Sequence, residues 1–214
     1  MVKWNCDFSY AIGLFTADGN ISPDGRHLEF CSKDLELVKS IKKCSNLNNK
    51  ICLKQRGAYP RKWYHRIQFG NKELYNFFLK IGLTPNKSNS LTYLKIPKKY
   101  FCDFLRGLID GDGHIHFFRH PESQFLQLNL RIISGSSSFL TWLKDYICDC
   151  FGVFGKVREV PRAYELNYYK RDSKIIFKKI YNSKKGPCLK RKFKTAKLFF
   201  SEGGGIGKRA SLRS

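Results

Sequence analysis

The sequence predicts an α+β fold built as a pseudo-twofold tandem repeat, αββαββα twice over, with two antiparallel sheets. Three observations lead there. Residues 11–19, Ala-Ile-Gly-Leu-Phe-Thr-Ala-Asp-Gly, recur as residues 105–113, Leu-Arg-Gly-Leu-Ile-Asp-Gly-Asp-Gly, at a spacing of 94 residues (112 − 18). The segments after each copy follow in the same order and type. The intervening runs alternate apolar and polar residues with the period of strands.

In the first half, Asp7 is placed to cap a helix running to Ala17, and Gly19 to end it in a left-handed conformation. A strand starts at Ile21, Pro23-Asp24-Gly25 turns the chain, and residues 26–31 return. Asp34 caps a second helix through about Leu47. Residues 50–56 and 62–69 form a second hairpin around Gly57-Ala58-Tyr59-Pro60, and Asn71 opens a third helix ending near Gly82. After a polar connector at 84–97, the second half repeats the order: a motif helix at 98–111, a hairpin of 114–119 with 125–133, and a helix from Ser136–Ser138 through about Phe151. A hairpin of 153–160 with 164–170 follows, then a helix from Asp172. The expected units are half-domains at 1–92 and 93–202, and a basic tail at 203–214. The tail lacks periodicity and should be disordered, either gripping nucleic acid loosely or serving no role.

With 214 residues the chain can bury a full core. Its 40 Lys and Arg against 17 Asp and Glu leave a net charge of +23, a field that attracts polyanions. Nucleic acid is the first candidate partner. A membrane surface is the second, but no segment is apolar enough to span a bilayer. No signal peptide precedes the first motif, so an intracellular protein is expected, in the cytoplasm, the nucleoid or an organelle matrix, and not secreted. The eight cysteines form no C-x-x-C pair, which argues against structural zinc and for buried free thiols.

Gly13 and Ala17 are four residues apart, as are Gly107 and Gly111, so each pair shares one helix face. Helix-interior glycine costs about 1 kcal/mol relative to alanine. Close approach of two motif helices would explain that cost in both copies. Asp18 and Asp112 would then emerge beside each other at the helix ends, where two carboxylates repel unless a proton or cation joins them. A hard divalent cation, most simply Mg²⁺, suits such oxygen ligands. Asp110 is read as capping or hydrogen-bonding locally.

These residues carry a resemblance. Gly13, Leu14, Ala17, Asp18 and Gly19, with Leu105, Gly107, Leu108, Ile109, Asp110, Asp112 and Gly113, are similar to the LAGLIDADG homing endonucleases in their single-chain, two-motif form, over roughly residues 5–200. Thr16 stands where the family usually has an acid. The resemblance implies that Asp18 and Asp112 are catalytic and hold Mg²⁺ with the backbone carbonyls of Ala17 and Gly111. Mn²⁺ would substitute, and Ca²⁺ would support binding without cleavage. It also implies pocket-supporting roles for Ser32, Ser134, Lys87 and Lys192. The family often has Gln where Ser32 and Ser134 stand, and a plain surface lysine is the other reading of Lys87.

The strands are read as a nucleic-acid saddle. Leu28 and Phe30 point inward, with Asn20, Ser22, Arg26, His27 and Glu29 on or near the other face. Lys50, Lys54 and Arg56 alternate with Ile51 and Leu53; Lys62, Tyr64, Arg66 and Gln68 with Trp63, Ile67 and Phe69. In the second half, His114, His116, Phe118 and His120 face outward opposite Ile115 and Phe117. Gln127, Asn129 and Arg131 face outward opposite Leu126, Leu128, Leu130 and Ile132. Lys156 and Arg158 flank Val157; Asn167 and Tyr169 flank Tyr168. Side chains of this kind contact base edges and phosphates. Arg131 is assigned base readout, and Arg66, with Lys62 and Lys54 as neighbours, a phosphate role. His114 and His116 share a strand face that suits zinc, yet solvent- or base-facing imidazoles are simpler.

The expected function is that of a monomeric, metal-dependent endonuclease acting on double-stranded DNA. It would cut both strands at a long, partly asymmetric site, leave short 3′ overhangs, and be encoded by an intron. The alternative is an intron-encoded RNA maturase on the same fold, with intron RNA as partner. A DNA-binding regulator on an inactive nuclease fold is a third reading.

Overall fold

The computed structural model describes residues 2–57, 61–119, 121–122, 126–181 and 186–197. Two four-stranded antiparallel sheets, ordered β1-β2-β4-β3 and β5-β6-β8-β7, carry the helices on one face. The first half runs α1 (Cys6–Asp18), β1 (Gly19–Ile21), β2 (His27–Ser32), α2 (Leu35–Cys44), β3 (Cys52–Arg56), β4 (Lys62–Gly70) and α3 (Lys72–Ile81). A short helix α4 (Lys87–Ser90) and a 3-10 turn (Lys98–Tyr100) lie in the connector. The second half follows as α5 (Phe101–Asp112), β5 (Gly113–Arg119), β6 (Leu126–Ser134), α6 (Ser137–Phe151), β7 (Lys156–Val160), β8 (Ala163–Tyr168) and α7 (Lys170–Tyr181), with a further helix α8 (Lys190–Lys197). The repeat is the one the sequence predicts; α4 and α8 are additions to it.

Several element ends differ from expectation. The cap of α1 is Asn5, whose side chain accepts from the Phe8 amide at 2.8 Å, and Asp7 lies inside the first turn. Gly19 is extended (φ −76°, ψ 146°), and glycine is needed there for space: a Cβ would sit 2.6 Å from the Phe15 carbonyl oxygen. Gly82, by contrast, does end α3 in the left-handed region (φ +103°). Asn71 and Ser136 cap α3 and α6 as read, each accepting an amide from the first turn. Asp34 stands at the N-cap of α2 but makes no capping bond; its carboxylate instead accepts from Arg191.

Both motif helices are buried in one core. Leu28, Phe30, Ile67 and Phe69 of one sheet, and Leu128, Leu130, Ile132, Leu166 and Tyr168 of the other, point into it. The inward register fails at one place. Leu53 and Trp63 are each 59% exposed, although their alternation gives them the phase of core residues. The eight cysteines are free thiols; Cys31 is buried, but Cys6 and Cys52 are exposed, against the reading of general burial. Among the described residues, no helix is long and apolar enough to cross a membrane.

Candidate active site and nucleic-acid interface

The site is made by the crossing of α1 and α5. A Cβ placed on Gly13 would lie 2.1 Å from the carbonyl oxygen of Phe104, and one on Gly107 would lie 2.1 Å from that of Tyr10. Tyr10 and Phe104 are themselves related by the 94-residue repeat, so the two contacts are one contact made twice. Gly111 faces the Ala17 side chain, where an added Cβ would come within 2.5 Å, and would stand 3.9 Å from Asp18 Oδ2. The small residues therefore bring the C-terminal ends of both helices together, and with them Asp18 and Asp112.

Both acids are exposed to solvent at the ends of their helices. Crowding by protein, and then the Asp18 charge, push the Asp112 carboxyl up to about 6, against the pull of Lys87 and Lys192. The two lysines are buried and related in position. Lys87 Nζ, brought by α4, donates to the Ala17 carbonyl at 3.5 Å. Lys192 Nζ, brought by α8, donates to the carbonyls of Ile109, Asp110 and Gly111 at 2.6, 2.9 and 3.2 Å. Each ammonium thus caps the negative end of a motif helix. Burial lowers both ammonium pKa values, Lys192 to about 8, while the paired carboxylates oppose the shift. A cleft of about 390 Å³ opens beside Asp112, lined by Thr16, Ala17, Lys87, Ser134 and Ile133 among others.

Ser134 lines this cleft and Ser32 does not, and both are engaged locally. Each hydroxyl accepts an amide two residues on, from Asp34 and Ser136, at 3.2 Å. Asp110 departs from its reading. It is fully buried, and its partners are distant in sequence: Tyr10 and Tyr181 hydroxyls at 2.9 and 2.7 Å and the Leu189 amide at 2.7 Å. It ties α1, α7 and the start of α8 to α5. Arg106, also buried, adds bonds to the carbonyls of Ile180 and Pro187 and an ion pair with Asp103. Apart from the Asp103–Arg106 pair, three residues apart on one helix, these ties could not be read from local spacing.

The outward sheet faces hold most of the predicted contact residues. One row across the second sheet is His114, Arg131, Asn167 and Lys156. Along β5, the rings of His114, His116 and Phe118 stack at centroid spacings of 5.8 and 5.5 Å. Among the described residues no cluster of three metal-binding side chains exists. On the first sheet Asn20, Lys62 and Gln68 are exposed, while Tyr64 packs under Lys33. His27 and Arg26 fold back onto each other, and His27 pairs with Asp24. Ser22 lies at the β1–β2 turn, its carbonyl accepting from Tyr75. Lys50 precedes β3 and Tyr169 follows β8, so neither belongs to a strand. His120, the tail 203–214 and the side chain of Arg56 lie outside the described residues.

Three predicted contact residues are buried on the outward face: Glu29, Asn129 and Asn167. Glu29 accepts Lys54 Nζ at 2.9 and 3.0 Å and Arg66 at 3.4 Å. The second sheet has a counterpart that sequence reading missed. Glu165 accepts Arg158 at 2.6 and 2.8 Å and the Asn167 amide, and lies 4.0 Å from Arg131. The signal was the alternation of β8, which puts Glu165 in phase with Asn167. Burial raises the Glu165 pKa, but the bonds from Asn167 and Arg158 outweigh it and hold the carboxyl below its ordinary value.

Two pseudosymmetric halves crossing on paired glycine-bearing helices, with an acid at each helix end, define the class of fold. Residues 5–82 match the family model of the LAGLIDADG-like domain. Comparison with curated protein sequences finds no match. Among solved structures the chain is similar to the homing endonuclease I-WcaI bound to its DNA recognition sequence (TM-score 0.64, 12% identity, covering 85% of this chain and 84% of that one). It is similar also to I-DmoI in complex with DNA and Ca (0.58, 16%, 92% and 97%). Full-length DUF199/WhiA from Thermatoga maritima matches as well (0.57, 15%, 96% and 65%). Residues 5–82 are thus similar in sequence to the LAGLIDADG-like domain, and the chain has the tandem LAGLIDADG fold.

Proposed function

We propose that this protein is a divalent-metal-dependent, site-specific endonuclease of double-stranded DNA. The observation that carries the reading is the juxtaposition of Asp18 and Asp112 between two basic sheet faces, framed by two buried lysines. The donor set suits a hard cation: two carboxylates strained by mutual repulsion, and the carbonyls of Ala17 and Gly111 at adjoining helix ends. Asp18, Asp112 and those carbonyls would hold Mg²⁺ or Mn²⁺, with Ca²⁺ supporting binding alone. When bound, the cation supplies charge that activates water and stabilises the leaving oxygen. The chain's own residues do the rest. The sheets hold the duplex, the acids lie across its minor groove, and Lys87 and Lys192 offset the charge of the scissile phosphates.

The half-domains, 1–92 and 93–202, would each serve one strand within a monomer, giving short 3′ overhangs. Their outward rows differ, so the target is long and only partly palindromic. An intracellular, intron-encoded enzyme fits this chemistry.

The test is cleavage of a genomic or randomised duplex library, with Asp18→Asn and Asp112→Asn alongside. The native chain should release double-strand ends; both variants should lose cutting while keeping affinity in Ca²⁺. Retained cleavage by both would sink the assignment. Binding to intron RNA, with no duplex selected, would move the reading to the maturase.

A further inference from the structure

Two acids are buried where a polyanion is to dock. The chain carries 17 Asp and Glu, and one of them sits in the outward face of each sheet: Glu29, 9% exposed, and Glu165, 4% exposed. A carboxylate there opposes every approaching phosphate, so charge attraction alone would select against it. Neither is open enough to meet a base itself. What both do is hold cations. Glu29 on β2 takes Lys54 from β3 and Arg66 from β4; Glu165 on β8 takes Arg158 from β7, with Arg131 of β6 at 4.0 Å.

Such clamping has a directional consequence. A lysine or arginine that meets a phosphate needs charge and reach, and a mobile side chain serves. One that reads a base edge must present donors at a fixed place, since a guanine is recognised by a planar, bidentate fit. An ion pair formed before binding removes rotamer freedom in advance and leaves the remaining donors aimed. On the second sheet the side chains of Arg158 and Arg131 stay 56% and 31% exposed beside Glu165, so part of each arginine side chain remains open to an incoming ligand.

We propose that Glu29 and Glu165 are specificity-determining positioning residues, which aim Lys54 with Arg66, and Arg158 with Arg131, at base edges rather than phosphates. This rests on the DNA-binding reading above, and it replaces the phosphate role that neighbouring lysines suggest for Arg66. It makes opposite predictions for two kinds of binding. Removing either negative charge strengthens sequence-independent binding, because one opposing charge is lost and the freed cations turn to phosphates. It weakens discrimination, because the donors are no longer held.

The experiment compares native protein with Glu29→Gln, Glu165→Gln and Glu29→Asp, in Ca²⁺ at one salt concentration. One probe is an arbitrary 30-base-pair duplex, the other a randomised duplex library from which bound sequences are read. Each Gln variant should bind the arbitrary duplex at least as tightly as the native chain. Each should lose about tenfold of discrimination at a few positions, those for Glu29→Gln in one half of the site and those for Glu165→Gln in the other. Glu29→Asp keeps the charge but withdraws the reach, so its library profile should flatten without a gain in sequence-independent affinity. Unchanged profiles in both Gln variants would overturn the proposal and leave the DNA reading standing. A parallel loss of both kinds of binding, with a lowered melting temperature, would also overturn it, by showing a merely structural role. A native chain that selects no sequence would remove the DNA reading and this proposal together.

Discussion

Replacing Gly107 by alanine tests the crossing of the motif helices with the smallest perturbation available. In an ordinary helix this change stabilises by about 1 kcal/mol, since alanine has the higher helix propensity. Here the added Cβ would meet the Tyr10 carbonyl oxygen at 2.1 Å, and its repeat mate at Gly13 would meet that of Phe104 at the same distance. The obstacle is backbone, so no rotamer change relieves it, and α1 and α5 must separate by more than an ångström to reach van der Waals contact. Overpacking of this kind costs about 1–3 kcal/mol, with backbone clashes at the upper end. Net of propensity, each variant should lose about 2 kcal/mol, which lowers the melting temperature of a chain this size by roughly 4–8 °C. Circular dichroism melts of Gly13→Ala and Gly107→Ala decide it. An unchanged or raised melting temperature in both would refute the close crossing. The sign alone is diagnostic, because propensity and packing act in opposite directions.

Other expectations follow from the same geometry. In metal-free buffer, Asp112→Asn should gain stability relative to the native chain as pH rises. The folded carboxyl is pushed up to about 6 from an ordinary 3.8, so its favourable contribution is complete below the unfolded value and is lost as pH passes through 6. Melts from pH 4 to 8 would show the gap opening, and a gap independent of pH would contradict it. Lys192→Met removes the donor to three carbonyls, of which only that of Ile109 has the Gly113 amide as a second partner, and should cost about 1–3 kcal/mol, while Lys87→Met, which breaks one bond of 3.5 Å, should cost less. Urea unfolding of the two variants tests that order, which a larger loss in Lys87→Met would reverse. Arg131→Ala should relax preference at one or two base positions by about 1–3 kcal/mol. A library profile unaltered at every position would mean that Arg131 reads no base.

What the sequence determined by itself is everything that local periodicity carries. Side chains alternate along strands and recur every three to four residues along helices, and the 94-residue repeat supplies each assignment twice. That sufficed for the order of elements, for the small-residue face of Gly13, Ala17, Gly107 and Gly111, and for the matched acids at the ends of α1 and α5. The tertiary structure alone decided what depends on residues far apart in the chain. Asp110 looks like a local hydrogen-bonder because its three partners lie 71, 79 and 100 residues away. Lys192 reaches the end of α5 only because α8, absent from the repeat, packs back across it. Trp63 has the phase of a core residue, yet whether helices cover that end of the sheet is not written in its alternation. Glu29 and Glu165 have the phase of surface residues and are buried by the cations of neighbouring strands. A strand's own sequence states which face a side chain takes; only the pairing of strands states whose charge it meets there.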